Sequence, residues 1–228
     1  MRALPAWLVV MGALYLGGCS APMRDDPARY DFGPDLAPGQ DAPASTQSLA
    51  IVVSAPPWLD STAMLYRLAY DNPERVQAYA RSEWLAPPPM LLGQAIRERM
   101  FRLDVGAPKP APSDGAANGA IDSQASAPIL QIDLDDFTQI FDSAQQSHVL
   151  LRARARLLDG RKQGASLQQV FVISSPAPTP DALGAVHASR DAALQLSDAL
   201  ARWIQGAQAS APGGAQDTNS HANPQANR

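Results

Sequence analysis

The sequence predicts an α/β domain: a mixed, mostly antiparallel sheet with helices packed on it. Three observations predict it. Several stretches alternate apolar and polar residues with the period of two that a half-buried strand requires. Two others repeat apolar residues at three- and four-residue spacing, as one face of a helix does. The connections between neighbouring alternating stretches are short and polar, which favours hairpins over long crossovers.

The elements follow in chain order. Residues 29–33 are a short strand candidate. Residues 49–54, LAIVVS, are nearly all apolar and read as a strand buried on both faces. In 64–70, Met64, Tyr66, Leu68 and Tyr70 share one side and Arg67 the other. Asp71-Asn72-Pro73-Glu74 is turn chemistry. Residues 75–84 alternate again, with Val76, Ala78, Ala80 and Trp84 assigned to one face, so the two stretches make a hairpin. Pro87-Pro88-Pro89 opens a helix whose stripe is Leu92, Ile96 and Met100.

The second half repeats the logic. In 129–141, Leu130, Ile132 and Leu134 face one way and Gln131, Asp133 and Asp135 the other. Asp135-Asp136 breaks the alternation, so a bulge is expected there. Residues 148–158 carry Val149, Leu151, Ala153, Ala155 and Leu157 on one face and Arg152, Arg154 and Arg156 on the other. The polar loop 142–146 joins these two strands. A register pairing Asp133 with Arg156 and Asp135 with Arg154 sets opposite charges across from each other. The arginines then read in two ways: half of a charge-balanced, solvated face, or a basic stripe for anionic head groups or a partner. Residues 167–173 are a further strand. Thr179 is expected to cap, and Pro180 to open, a final helix. Its inner face is Leu196, Leu200, Trp203 and Ile204, and Gly206 is expected to end it.

Composition sets bounds. The 228 residues carry a formal charge of −4, and no concentrated basic face of the kind nucleic-acid binding needs. With 15 Gly and 21 Pro, segments 34–47, 106–127 and 206–228 have almost no large apolar residue. They are expected to be flexible linkers at 34–47 and 106–127 and a disordered tail at 206–228. That leaves a single domain, 28–205, with a core of roughly 145 residues.

The first 18 residues read as an address. Arg2 precedes an uncharged stretch centred on Trp7-Leu8-Val9-Val10-Met11, too short for a spanning helix and ending in Gly17-Gly18. Leu16-Gly17-Gly18-Cys19 resembles the lipobox of bacterial lipoproteins. The resemblance implies cleavage before Cys19, a diacylglyceryl thioether on its sulfur and acylation of its new amino group. Residues 19–27 become a lipidated tether. Several acyl chains anchor firmly, at about 0.8 kcal/mol per buried methylene. Ser20 follows Cys19, where the family rule for inner-membrane retention has Asp. The outer membrane, with the domain facing the periplasm, is therefore expected. The alternative is an uncleaved apolar start with an incidental buried cysteine.

The chain has no phosphate loop, dinucleotide fingerprint, nucleophile elbow or HExxH. The single cysteine leaves no disulfide framework or multi-cysteine metal site. His148, His187 and His221 have no ligand spacing. Asp133, Asp135 and Asp136 alternate opposite arginines, as on a sheet face rather than in an acid–base pair. No catalytic residue, metal or cofactor is expected.

Short motifs in order resemble the ABC-type transport auxiliary lipoproteins, the family of paraquat-inducible protein C-like lipoproteins. They are the lipobox, Tyr30-Asp31-Phe32-Gly33, Ala55-Pro56-Pro57-Trp58-Leu59-Asp60, Met64-Leu65-Tyr66-Arg67, Tyr79-Ala80-Arg81-Ser82-Glu83-Trp84, Phe137-Thr138-Gln139-Ile140-Phe141-Asp142-Ser143 with Ser147-His148, and Pro176-Ala177-Pro178-Thr179-Pro180-Asp181-Ala182. The resemblance implies an anticodon-binding-domain-like α/β architecture and a non-enzymatic role. It implies partnership with an inner-membrane ABC transporter and a periplasmic MCE-domain protein, moving phospholipid or another hydrophobic solute across the periplasm. It leaves open a homo-oligomeric ring of copies. Trp58 and Leu59, after two prolines, read either as a docking or lipid-contact patch or, for Trp58, as a core plug; Trp84 reads as a core plug. Two other classes compete: an outer-membrane scaffold or assembly lipoprotein with a different envelope partner, and a lipid-anchored enzyme.

Overall fold

The computed structural model describes residues 26–33, 49–105, 128–158 and 166–209. The expected signal segment, Cys19, and the expected linkers 34–47 and 106–127 lie outside the described residues, as do the residues beyond 209. The strands are β1 (Ala28–Tyr30), β2 (Ala50–Ser54), β3 (Ala63–Leu68), β4 (Asn72–Trp84), β5 (Ile129–Phe141), β6 (Ser147–Leu158) and β7 (Ser166–Pro176). The helices are α1 (Pro88–Arg102) and α2 (Ala182–Ala209).

All seven strands form one sheet in the order β1-β4-β3-β5-β6-β7, with β2 also paired to β5. The long ladders β5–β6 and β6–β7 are antiparallel, as is the β3–β4 hairpin. β1 on β4, and β2 and β3 on β5, are parallel. β6 fills one edge of β5, so β2 and β3 share the other edge end to end. β2 lies beside Ile129 to Asp133, and β3 beside Gln139 to Phe141. The chain between them, 55–62, steps out of the sheet. Both helices cover the same face, α2 against β6 and β7, α1 against β2, and each against the other. The expected mixed sheet with helices packed on it is therefore observed.

The bulge at Asp135 is what keeps β5 in the core. Before it, Leu134 opposes Ala153; after it, Asp136 opposes Arg152. The extra residue switches the buried parity from Leu130, Ile132 and Leu134 to Phe137, Gln139 and Phe141. Phe137 then joins Phe32 and Trp84, with ring centroids 5.7 to 6.2 Å apart, so Trp84 is the expected core plug.

Several local expectations are corrected. The β5–β6 register is two residues from the expected one: Asp133 opposes Arg154, and Gln131 opposes Arg156. β2 is covered on one face only; Val52 is 52% exposed, because the helices leave the other face open. In β4 the inward residues are Gln77 and Tyr79, while Val76, Ala78 and Ala80 face out. Tyr79 buries more area than Val76 and finds a buried hydrogen-bond partner, so it wins the inside. A register jump between Ala63 opposite Glu83 and Leu65 opposite Ala78 then brings Trp84 back inside.

α1 begins with Pro88 in the first turn, where no amide hydrogen is needed. It buries Leu91, Leu92, Ala95, Ile96 and Met100. Arg99 reaches across to Asp198 of α2 at 2.7 Å. α2 is capped by Asp181 rather than Thr179. The Asp181 carboxylate accepts from the Gly184 N–H at 2.8 Å and from the Thr179 hydroxyl at 2.8 Å. A side chain at Gly184 would start 1.9 Å from the Thr179 carbonyl oxygen, so this tight entry requires glycine. Gly206 does not end the helix. Its φ is not positive, and the helix runs on to Ala209, so 206–209 are not part of a disordered tail.

Candidate functional site

Trp58 and Leu59 do not act as a pair. Amide hydrogens of Leu59 and Asp60 both bond the Pro56 carbonyl, and this turn points the two side chains apart. Leu59 is 1% exposed and belongs to the core, so it offers no contact surface. Trp58 is 43% exposed, so it is not the core plug.

The three arginines share the open sheet face. Arg154 grips Asp135 through two hydrogen bonds, at 2.7 and 2.9 Å. Arg156 bonds Asp133 at 2.9 Å. These are the two charge pairs expected from the sequence, reached diagonally across a register two residues away. The Ser54 hydroxyl donates to Asp133 at 2.7 Å, and with Arg156 it holds this carboxyl below the usual carboxylate range. Among the described residues Arg152 has no ion-pair partner. It lies between Asp136 on β5 and exposed Val172 on β7. Among the described residues the face is therefore largely charge-paired, with Arg152 open beside the exposed Val172.

A buried polar chain joins the sheet to the entry of α2. The Tyr79 hydroxyl donates to Gln139 Oε1 at 2.6 Å. Gln139 Nε2 donates to Ser147 Oγ at 2.9 Å and to the Asp181 carbonyl at 3.3 Å. Burial, then the Asp181 carboxylate and Tyr66, push the Tyr79 phenol well above its usual range, so it stays a neutral donor. This chain is a clamp: every polar atom in it is satisfied by a structural partner. It brings together three of the short motifs quoted above, 79–84, 137–148 and 176–182. Gln139 was readable from the parity switch at the bulge; its partners were not.

One cleft, of about 390 Å³, lies between β2, the 55–62 loop and α1. Val53, Ala55, Pro89 and Met90 line it, with Asp60 and Arg97 as its charges. Met90 and Arg97 lie off the buried stripe of α1, which is the only sequence signal for them. Among the described residues no group of three His, Cys, Asp or Glu could hold a metal ion. Among those residues, too, no helix is long and apolar enough to cross a membrane.

These features define a two-layer α/β domain with half of its sheet uncovered. Two solved structures share that architecture. One is a crystal structure of a Xanthomonas campestris protein of the DUF330 family, 16% identical, with a TM-score of 0.55, covering 81% of this chain and 95% of its own. The other is a crystal structure of an uncharacterised protein, 15% identical, with a TM-score of 0.56, covering 79% and 99%. No curated protein matches the chain. The model of the ABC-type transport auxiliary lipoprotein component family matches residues 30–201, and the chain belongs to that family. It is thus an auxiliary lipoprotein of ABC-type transport, a membrane-anchored envelope protein of a generally non-enzymatic family.

Proposed function

We propose that the chain is a non-enzymatic outer-membrane lipoprotein facing the periplasm, a subunit of an ABC transporter/MCE-type system that moves phospholipid or another hydrophobic solute. It acts by docking to the MCE-domain protein. Residues 1–18 are its signal peptide, Cys19 carries the lipid, and residues 19–27 tether the domain. The observation that carries this reading is the Leu16-Gly17-Gly18-Cys19 motif directly ahead of a domain of the transport auxiliary family. Ser20 beside Cys19 supports the outer membrane. Exposed Trp58 and the Arg152 region are the surfaces offered for contact.

The test is a mild-detergent pull-down of the tagged, lipidated protein from its own membranes, with proteins and lipids identified by mass spectrometry. An MCE-domain protein and ABC subunits, absent from an unrelated lipoprotein control, are expected. Recovery of barrel-assembly or cell-wall proteins with no MCE partner, even after cross-linking, overturns the reading.

A further inference from the structure

Three large apolar side chains are exposed at one corner of the domain: Trp58 at 43%, Leu85 at 59% and Met90 at 62%. Short backbone bonds hold their segments together. The Trp84 N–H donates to the Thr62 carbonyl at 2.7 Å, tying the end of β4 to the loop that carries Trp58. The Leu85 N–H donates to the Tyr30 carbonyl at 2.7 Å, tying the same point to β1. Leu85 leads within five residues to Met90, which shares the cleft with Ala55 and Asp60 of the Trp58 loop. Arg97 stands on that cleft as well. Tryptophan beside aliphatic and cationic side chains is the chemistry of a lipid interface, where the ring body is apolar and its N–H is wet.

The tether enters the domain close to the same corner, since β1 runs alongside β4 with Tyr30 beside Trp84. β1 is three residues long, so Ala28 lies only about 7 Å from Tyr30, the residue bonded to Leu85. Nine residues, 19–27, precede Ala28. They span at most about 30 Å when extended, and about 17 Å as a flexible chain. A lipid on Cys19 therefore keeps the β1 entry, and this neighbouring corner, within reach of the bilayer, whereas loop 142–146 lies beyond the opposite end of β3.

We propose that the Trp58, Leu85 and Met90 corner seats on the phospholipid surface that holds the acylated Cys19. The anchor is then a leash with a docking point, and the domain stands on the membrane in one orientation. The open sheet face is left free to meet a protein partner. This deepens the proposed function and rests on the acylation of Cys19.

The experiment uses the full lipidated protein in vesicles of phosphatidylethanolamine with a minor share of phosphatidylglycerol. Acylation blocks Cys19, so single cysteines at Trp58→Cys, Leu85→Cys, Met90→Cys and Gln145→Cys can each carry an environment-sensitive fluorophore. Gln145 is exposed in the far loop and serves as the control. The expected result is loss of emission with brominated lipid at the three corner sites and none at Gln145→Cys, which aqueous iodide quenches instead. Leu85→Asp with Met90→Asp should abolish lipid quenching at Trp58→Cys. Both residues are exposed, so the core is left intact. Corner labels quenched by iodide alone, on protein whose acylation is confirmed by mass spectrometry, overturn the seat and leave the anchor standing. Labels shielded from both quenchers place protein there and overturn the lipid assignment. An unacylated Cys19 overturns both readings.

Discussion

A glutamine on a core strand is tolerated only when its amide is fully used. Gln139 is 2% exposed, and both ends of its amide are bonded: the oxygen by Tyr79, the nitrogen by Ser147 and the Asp181 carbonyl. Gln139→Leu keeps the volume but strands the Tyr79 hydroxyl and the Ser147 hydroxyl. The expected cost is about 1–3 kcal/mol, read by urea denaturation. Adding Tyr79→Phe should recover part of it, because the stranded donor is then gone. Strict additivity of the two substitutions would show that the clamp does not couple them.

At the scale of elements, the bulge governs which half of β5 is buried. Deleting Asp135 would restore uniform alternation and turn Phe137, Gln139 and Phe141 outward, or else force Leu130, Ile132 and Leu134 out. Loss of cooperative unfolding is expected. Asp135→Ala, by contrast, keeps the residue count and removes only an exposed pair with Arg154, so its Tm should stay close to that of the parent. Circular dichroism melts of the two variants distinguish a need for the extra residue from a need for its charge. α2 shows the same economy: Ala188, Ala192 and Ala193 are fully buried, so small side chains let the helix lie close to its neighbours.

At the scale of the whole molecule, two carboxylates on separate elements couple folding to pH. Hydrogen bonds from Ser54 and Arg156 at Asp133, and from Gly184 and Thr179 at Asp181, hold both below their ordinary range. The unfolded chain therefore binds their protons first, at about pH 4. The stability they contribute is full above that value and is lost as pH falls through the lower folded values. Urea midpoints should accordingly drop as pH is lowered below about 4. Asp181→Asn should flatten that drop while lowering stability at neutral pH. An unchanged acid slope would show that the Asp181 cap is not coupled to folding. On the proposed function the membrane attachment would meet the domain at the β1 edge, while the open sheet face lies across the molecule from both helices.

By itself the sequence determined the lipobox-like motif ending in Cys19, the order and kinds of elements, the bulge at Asp135 and the family the ordered motifs resemble. Each depends on local spacing: a period of two or of about four, a turn cluster, or an extra residue that breaks a pattern. Asp133–Arg156 and Asp135–Arg154 were legible as pairs, because complementary charges two residues apart on facing strands meet directly or diagonally. Only the tertiary structure decided the register between those strands, the parallel seating of β2 and β3 on one edge of β5, and the inward turn of Tyr79 in place of Val76. It also decided the separation of Trp58 from Leu59, the capping of α2 by Asp181, and the gathering of Trp58, Leu85 and Met90 at one corner. The reason is physical. Periodicity says that a strand has two faces, but which face is covered depends on what arrives from elsewhere in the chain. Here the two helices cover one side of the sheet and leave the other open.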